Sequence, residues 1–143
     1  MPSDYTFWSL MAEDARPELG NKFTIVGLYT GDVLVQSFPA TIRIATLTVF
    51  HFDKPGRHTL DMRFMLGSDK IAGGPTIDLT AEPDEAVSVN TPATMLNIVA
   101  PAELRVEGAI DGGAFQTLVR REIRLADAKL FPPALGGGSP SNR

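Results

Sequence analysis

The sequence predicts an all-β protein, folded as a two-sheet antiparallel β-sandwich of roughly eight strands. Short segments of alternating polarity run from His51 to Leu125, and strong turn signals separate them. These signals are Asp53-Lys54-Pro55-Gly56, Gly67-Ser68-Asp69, Glu82-Pro83-Asp84 and Asp111-Gly112-Gly113. Regular short strands between Gly- and Pro-rich turns are typical of a sandwich or barrel. The chain shows no internal repeat and no heptad pattern.

The first strand is predicted over Tyr5 to Met11, where Tyr, Thr, Phe and Trp favour strand. Large apolar residues fall on both sides of its alternation. That fits a strand covered on both faces, or a strand that meets a neighbouring chain. A short helix over Ser9–Arg16 is the alternative, because leucine, methionine and alanine favour helix. Arg16–Asn21 is interpreted as a connection.

The next two segments are irregular. Phe23–Val35 is apolar, with Gly27 as a candidate bulge and Thr30-Gly31-Asp32 as a candidate hairpin turn. Within Thr41–Phe52 the apolar phase changes midway. This predicts either burial on both faces of the strand or a bulge.

The later strands alternate more clearly. Gly73-Gly74-Pro75 interrupts one segment, so Thr76–Thr80 is predicted to be an edge strand. Val87–Asn90, Thr94–Val99 and Ala102–Ile110 complete the series before the last strand, Phe115–Leu125. The residues predicted to face inward are Leu60, Met62, Phe64 and Leu66, then Leu104, Val106 and Ile110, then Phe115, Thr117, Val119, Ile123 and Leu125.

The sandwich domain is assigned to residues 1–130. Ala126–Leu130 is expected to form one helical turn, and residues 131–143 a flexible tail rich in Pro, Gly and Ser. A chain of 143 residues fits one domain, and 43% hydrophobic residues can build a core without a metal or a disulfide. The absence of cysteine excludes disulfides, thiolate metal sites and a cysteine nucleophile.

The charge and hydropathy patterns bound the partners. The formal charge of −4 argues against nucleic acid, which requires a basic face. No run is as long and apolar as a membrane span, and the N-terminus lacks a secretory signal pattern. We therefore expect no membrane association and a cytoplasmic location.

Candidate chemistry is sparse. His51 and His58 could hold a metal with Asp53 or Asp61 as a third ligand, but we favour His51 at an inward or edge position and His58 at the surface. The acidic loop of Glu82, Asp84 and Glu85 matches no calcium loop and is interpreted as a solvated turn. No catalytic residue, cofactor or metal site is assigned, and no enzymatic activity is expected.

Two groups of charged residues receive similarly ordinary interpretations. Glu13-Asp14 could contribute to acid–base chemistry only with a distant carboxylate, and we interpret the pair as exposed charges at the end of the first strand. Arg120, Arg121 and Arg124 form the densest basic cluster. Because Glu122 lies among them, we interpret the cluster as a solvated or salt-bridged rim.

Part of the chain resembles a known family. The pattern Ala12-Glu13-Asp14-Ala15, Asn21-Lys22-Phe23-Thr24-Ile25-Val26-Gly27-Leu28-Tyr29, Phe38-Pro39-Ala40 and Gly56-Arg57-His58-Thr59-Leu60 is similar to an uncharacterised family of small all-β proteins from bacteria and their phages. The resemblance covers roughly Met11 to Leu66. It implies a β-sandwich and a phage context, and it carries over no catalytic residues.

We therefore expect a non-enzymatic structural or interaction protein that contacts copies of itself or a larger assembly, such as a capsid-surface or tail accessory protein of a virion. The expected contact anchors are the aromatic residues Tyr5, Phe7, Trp8 and Phe131. If the chain is not phage-encoded, the cytoplasm is the expected location. The alternative is a module that binds a sugar or another small molecule through the loops Asp53–Arg57 and Glu82–Asn90.

Overall fold

The computed structural model describes residues 4–127, and every regular element in that range is a β-strand. The all-β prediction is therefore confirmed, with ten strands rather than eight. The strands are β1 (Tyr5–Glu18), β2 (Lys22–Leu28), β3 (Val33–Val35), β4 (Ala40–Phe52), β5 (Gly56–Leu66), β6 (Asp69–Gly73), β7 (Ile77–Ala81), β8 (Val87–Ile98), β9 (Ala102–Ile110) and β10 (Gln116–Leu125). Most of the predicted turn at Ala126–Leu130, and the whole tail from 131 to 143, lie outside the described residues.

One sheet has four strands in the order β2-β1-β4-β8, and all its pairings are antiparallel. The predicted alternative of a helix over Ser9–Arg16 is wrong, because β1 continues as a strand to Glu18. The connection is accordingly shorter than Arg16–Asn21. Gly20 and Asn21 both have positive φ, which places the tight turn between β1 and β2 at these two residues.

The second sheet has six strands in the order β3-β10-β9-β5-β6, with β7 also paired to β5. Thr30-Gly31-Asp32 was expected to form a hairpin, and this is wrong. After β2 the chain crosses to the other sheet, where β3 pairs with β10 in parallel, Val33 opposite Ile123. This is the one parallel pairing among the described strands, so the predicted antiparallel architecture holds everywhere else.

Two prolines lie at irregular places in the sheets, Pro75 between β6 and β7 and Pro92 within β8. β6 and β7 pair in turn with neighbouring parts of β5, and the interval around Pro75 separates them as predicted. By contrast, Val87–Asn90 and Thr94–Val99 are not separate strands. They belong to the single strand β8, whose register against β4 shifts between Ile44 and Thr46. Among the described strands β8 pairs only with β4, and an edge strand with a bulge accommodates Pro92.

The core lies between the two sheets. Its largest fully buried side chains are Phe50, Met11, Ile44, Leu60, Ile98, Leu104 and Ile123. The predicted inward faces of β5 and β9 are confirmed at Leu60, Met62, Phe64, Leu104 and Val106. In β10 the register shifts between Thr117 and Val119. The inward side of the alternation changes there. The inward prediction is confirmed for Val119 and Ile123 and is wrong for Phe115 and Thr117, which lie before the shift, and for Leu125, which is 50% exposed at the end of the strand.

The phase change in β4 reflects burial on both faces. Thr46 and Thr48 take inward positions, where their hydroxyls bond to Thr91 and Ser9 at 2.8 and 2.7 Å. Ala45, Leu47 and Val49 alternate with them, so they face outward, yet they are at most 8% exposed. An additional layer must therefore cover the outer face of β4.

The second half of β1, residues 13–18, covers the outer face of β4; the first half is residues 5–12. β1 pairs with β4 only as far as Ala12. Beyond it, the carbonyl oxygen of Ala15 accepts a hydrogen bond of 3.2 Å from Asn90 Nδ2 on β8, which lies on the far side of β4. The β1–β2 hairpin therefore crosses the outer face of β4. A cleft of about 630 Å³ separates the hairpin turn from β7 and β8.

Candidate functional site

The first half of β1 carries three of the predicted contact anchors, and the structure divides them. Trp8 lies on the outer face and is 50% exposed. Tyr5 and Phe7 point inward, and their ring centroids lie 6.0 and 6.1 Å from that of the buried Phe50. Only Trp8 therefore offers a largely free side chain. Phe131 lies outside the described residues, and the contact role of all four remains a prediction.

Among the described residues, the same half of β1 has one edge without a strand partner. Backbone groups of successive strand residues point alternately to the two edges. The Asp4 carbonyl accepts a bond from Asp53 N on the β4 side, and the Met11 carbonyl accepts one from Tyr29 N on the opposite side, each at 2.8 Å. By this alternation the N–H and C=O groups of Tyr5, Phe7 and Ser9 point away from β4.

Within residues 4–127 no strand occupies that edge. β2 pairs with β1 only from Ala12 onward. β10 lies close to this side of β1, with Cα atoms of the two strands within 8 Å, but the two strands do not pair. Gln116 donates to the Tyr5 hydroxyl, and Arg121 Nε donates to the Tyr29 carbonyl at 3.0 Å. The edge thus presents unpaired backbone donors and acceptors, which is the arrangement that accepts an additional strand.

The two loops proposed for ligand binding do come together at one end of the sandwich. They form an open pocket of about 350 Å³ lined by His51, Phe52, Asp53, Pro55, Glu82, Pro83, Asp84 and Glu85. Its wall combines carboxylates, which can accept hydrogen bonds from hydroxyl or amino groups, with one aromatic ring. His51 is exposed rather than inward.

His58 is engaged in a different contact. Its Nδ1 lies 2.8 Å from Asp111 Oδ2, and its Nε2 lies 3.3 Å from the Lys54 carbonyl oxygen. Its ring stacks on Phe52, with centroids 4.0 Å apart. Both partner atoms accept hydrogen bonds, so the geometry suits an imidazolium that donates from both nitrogens. Neither nitrogen is left for a metal. In the described part of the chain, no group of three or more His, Asp or Glu side chains is placed to hold one.

The directions of the pKa shifts of His58 and Asp111 fit this geometry. Burial lowers the pKa of His58, but the hydrogen bonds to Asp111 and the Lys54 carbonyl, with the charges of Asp111 and Asp4, outweigh it and raise the pKa above its usual value. The hydrogen bond from His58 and that from Thr59 N lower the pKa of Asp111. No local sequence pattern indicates this pair, because 53 positions separate its members.

The other charged residues considered as candidates form ion pairs or lie apart from one another. Asp14 Oδ2 lies 2.5 Å from Arg16 Nε and 3.8 Å from Arg43 Nη2, and the Arg16 hydrogen bond lowers the pKa of that carboxyl. Asp14 is buried, so it is not the exposed charge that was expected. In the basic cluster, Arg124 Nε pairs with Asp32 Oδ2 at 2.6 Å. Arg121 instead reaches the Tyr29 carbonyl, so the cluster forms no continuous basic stripe.

The comparisons with known proteins leave the family open. Neither the scan against protein-family models nor the search of curated proteins finds a match for this chain. Among residues 4–127 there is no helix long and apolar enough to cross a membrane. The fold and the geometry of its surface therefore carry the functional argument.

Proposed function

We propose that this protein is a non-enzymatic β-sandwich that works by protein–protein contact as a component of a larger assembly. The observation that carries the proposal is the half-exposed Trp8 beside an open sheet edge. Tryptophan is among the residues that contribute most to interface energies, because its large ring loses much water-exposed area on contact. The uncharged run Tyr5–Met11 gives a partner no charge to desolvate.

The engagement of the carboxyl and imidazole groups whose pKa values are shifted supports a contact role over catalysis. Catalytic acids and bases are usually groups with a free position for a substrate and a pKa near the working pH. Here Asp14 and Glu107 are held by arginines, and His58 and Asp111 hold each other. These side chains use their hydrogen-bonding groups on partners within the fold.

The specific form that we propose is a virion accessory protein, at a capsid surface or in a tail. This part rests on the family resemblance of residues 11–66 alone. A contact role inside a bacterial cell would use the same surface.

Site-specific cross-linking in the organism that encodes the chain tests the contact role. A photo-reactive phenylalanine analogue replaces Trp8, and a control places it at Arg120, an exposed position on the other sheet. We expect discrete protein adducts at position 8 and none, or only diffuse ones, at position 120. Equal labelling at both positions, or no adduct at position 8, would overturn the proposal.

A second candidate function is the binding of a sugar or another small hydroxylated or amino ligand in the loop pocket. Its support is that the two predicted loops meet around the pocket, with Asp53, Glu82 and Glu85 on its wall. A thermal-shift screen of the purified chain against a glycan and polyamine panel tests it. Binding that Glu82→Gln with Glu85→Gln abolishes supports this function, and a screen with no ligand that raises the melting temperature excludes it.

A further inference from the structure

We propose that the Tyr5–Ser9 edge of β1 pairs antiparallel with the same edge of a second copy of this chain. The two four-stranded sheets would then join into one continuous sheet across a twofold axis. This inference deepens the proposed contact function, because it names the partner of the same surface. It is carried by the open backbone groups, by the composition of the edge and by its difference from the other edges.

The other edges carry features that discourage pairing. Charged side chains, prolines, bulges and very short strands are the usual protections of an exposed sheet edge. β3 has only three residues, and the free part of β10 carries Arg120, Arg121 and Glu122. β8 contains Pro92 and a register shift, and the edge formed by β6 and β7 is broken around Pro75.

β2, the edge strand beside the second half of β1, is interrupted by Gly27 with a φ of 65°. The first half of β1 shows none of these features. From Tyr5 to Met11 it has no charge, no proline and no glycine, and it keeps one register against β4 throughout. Among the described edges it is the one best suited to accept a strand.

The edge is complementary to itself. When two copies are centred on Phe7, Phe7 faces Phe7 of the second copy and Tyr5 faces Ser9. These are the residues whose N–H and C=O groups are open, so each pair can exchange both of its backbone bonds. Trp8 then lies opposite Thr6 of the second copy on the outer face. Cross-strand contacts of an aromatic and a β-branched residue stabilise a sheet.

A second copy is favoured over an unrelated strand because the register puts no like charges together. The nearest charge, Asp4, would face the apolar Leu10 of the other chain. The same pairing covers the exposed part of the Trp8 ring, whose emission would report on it. Trp8 is the sole tryptophan of the chain, so fluorescence is specific to this edge.

Sedimentation equilibrium and tryptophan emission of the purified full chain over the micromolar range test the proposal. We expect a monomer–dimer equilibrium, with emission that moves to shorter wavelength as the dimer forms. Thr6→Lys places a charge against Trp8 of the second copy, and Ser9→Pro removes one open-edge N–H that makes no bond to β4. Each should weaken dimerisation by about tenfold or more. Thr80→Lys, the same type of change as Thr6→Lys at an exposed position on β7, is the control and should leave it unchanged.

Circular dichroism of each variant establishes that the fold is retained. A chain that stays monomeric throughout overturns the proposal, and so does a dimer that forms equally well in Thr6→Lys and Ser9→Pro. The two proposals can fail separately. If the cross-linker at position 8 captures a different protein while the purified chain stays monomeric, the second-copy inference is wrong and the contact function stands.

Discussion

On the outer face of the four-stranded sheet β4 presents Ala45, Leu47 and Val49, whereas on the outer face of the six-stranded sheet β9 presents Glu103, Arg105 and Glu107. The second half of β1 covers the apolar face of β4. The charged face remains at the surface, where Glu107 bonds Arg63 at 2.8 Å and Arg105 at 3.2 Å. The apolar face therefore depends on a third layer for its stability, and the charged face depends on local ion pairs.

The largest effect on stability is expected from truncating an apolar side chain on the covered face of β4. Leu47→Ala removes an apolar side chain that is 5% exposed between β4 and the hairpin, and should lower the free energy of unfolding by about 3 kcal/mol. Glu107→Ala on the opposite sheet should cost no more than about 1 kcal/mol, because partly exposed ion pairs are screened by water. Urea denaturation of both variants checks the contrast. Equal losses would show that the two faces do not differ as described.

The next effect concerns the conformation of the hairpin that forms the cover. Gly27 has a φ of 65°, and a Cβ at this position would overlap the Glu13 side chain. Gly27→Ala should therefore destabilise the protein by about 1–2 kcal/mol, mainly through the backbone. Gly31→Ala is the matched control, because a Cβ there has open space. A thermal-melting comparison in which the two variants behave alike would contradict the backbone argument.

A smaller effect is expected from loosening the attachment of the hairpin. Asn90→Ala leaves the buried Ala15 carbonyl without its amide donor, which should cost about 1 kcal/mol. Hydrogen exchange in β2 should accelerate together with that loss. Asn97→Ala, at an exposed position of the same strand, is the control. If exchange in β2 is unchanged by Asn90→Ala, this bond does not hold the cover in place.

The smallest effect should come from pH, at the contact where the two sheets meet. Because the pKa of His58 is raised in the folded state, the stability that its protonated ring contributes is fully present below the ordinary pKa of about 6.5. This stability is lost as the pH rises through the raised folded-state pKa. The lowered pKa of Asp111 makes its contribution complete above about 3.9, and lost as pH falls through the lowered value. The pair should therefore stabilise the fold most between these limits.

Urea midpoints across this pH range, for the parent chain and for Asp111→Asn, measure that contribution. The asparagine keeps an acceptor for Thr59 N and tolerates the positive φ of position 111, so it removes chiefly the charge. We expect the decline of stability above the ordinary imidazole pKa to become shallower in the variant. Parallel profiles would mean that the pair contributes little.

The sequence predicted those parts of the fold that depend on neighbouring residues. Strict alternation identified the inward side chains of β5 and β9, and Pro75 marked a broken strand. The same reasoning failed where a strand contains a bulge. The extra residue beside Pro92 lies within one continuous strand, β8, which the sequence pattern had divided in two. The register shift after Thr117 places Phe115 on the outer face. Such shifts depend on the partner strand, which alternation within one segment does not reveal.

Long-range features of the candidate site were less accessible. The sequence predicts a contact role for Trp8, but nothing local distinguishes its outward side chain from the inward Tyr5 and Phe7, since large residues occur at both parities. The direction of the backbone groups along the open edge follows from the hydrogen bonds of the Asp4 and Met11 carbonyls to distant residues, and a local sequence pattern does not reveal such bonds. The pairing of His58 with Asp111 and the crossing of β4 by the hairpin depend on how distant strands meet.

The parallel pairing of β3 with β10 has a consequence for the order of folding. Val33 and Val35 are synthesised early in translation, yet among the described strands they pair only with Ile123–Leu125 of β10. Contacts between residues so distant in the chain form slowly, because a long loop must close first. Val33 and Val35 can therefore complete their strand pairing only after β10 has left the ribosome. A nascent chain stalled before residue 116 should therefore be the form most readily bound by chaperones.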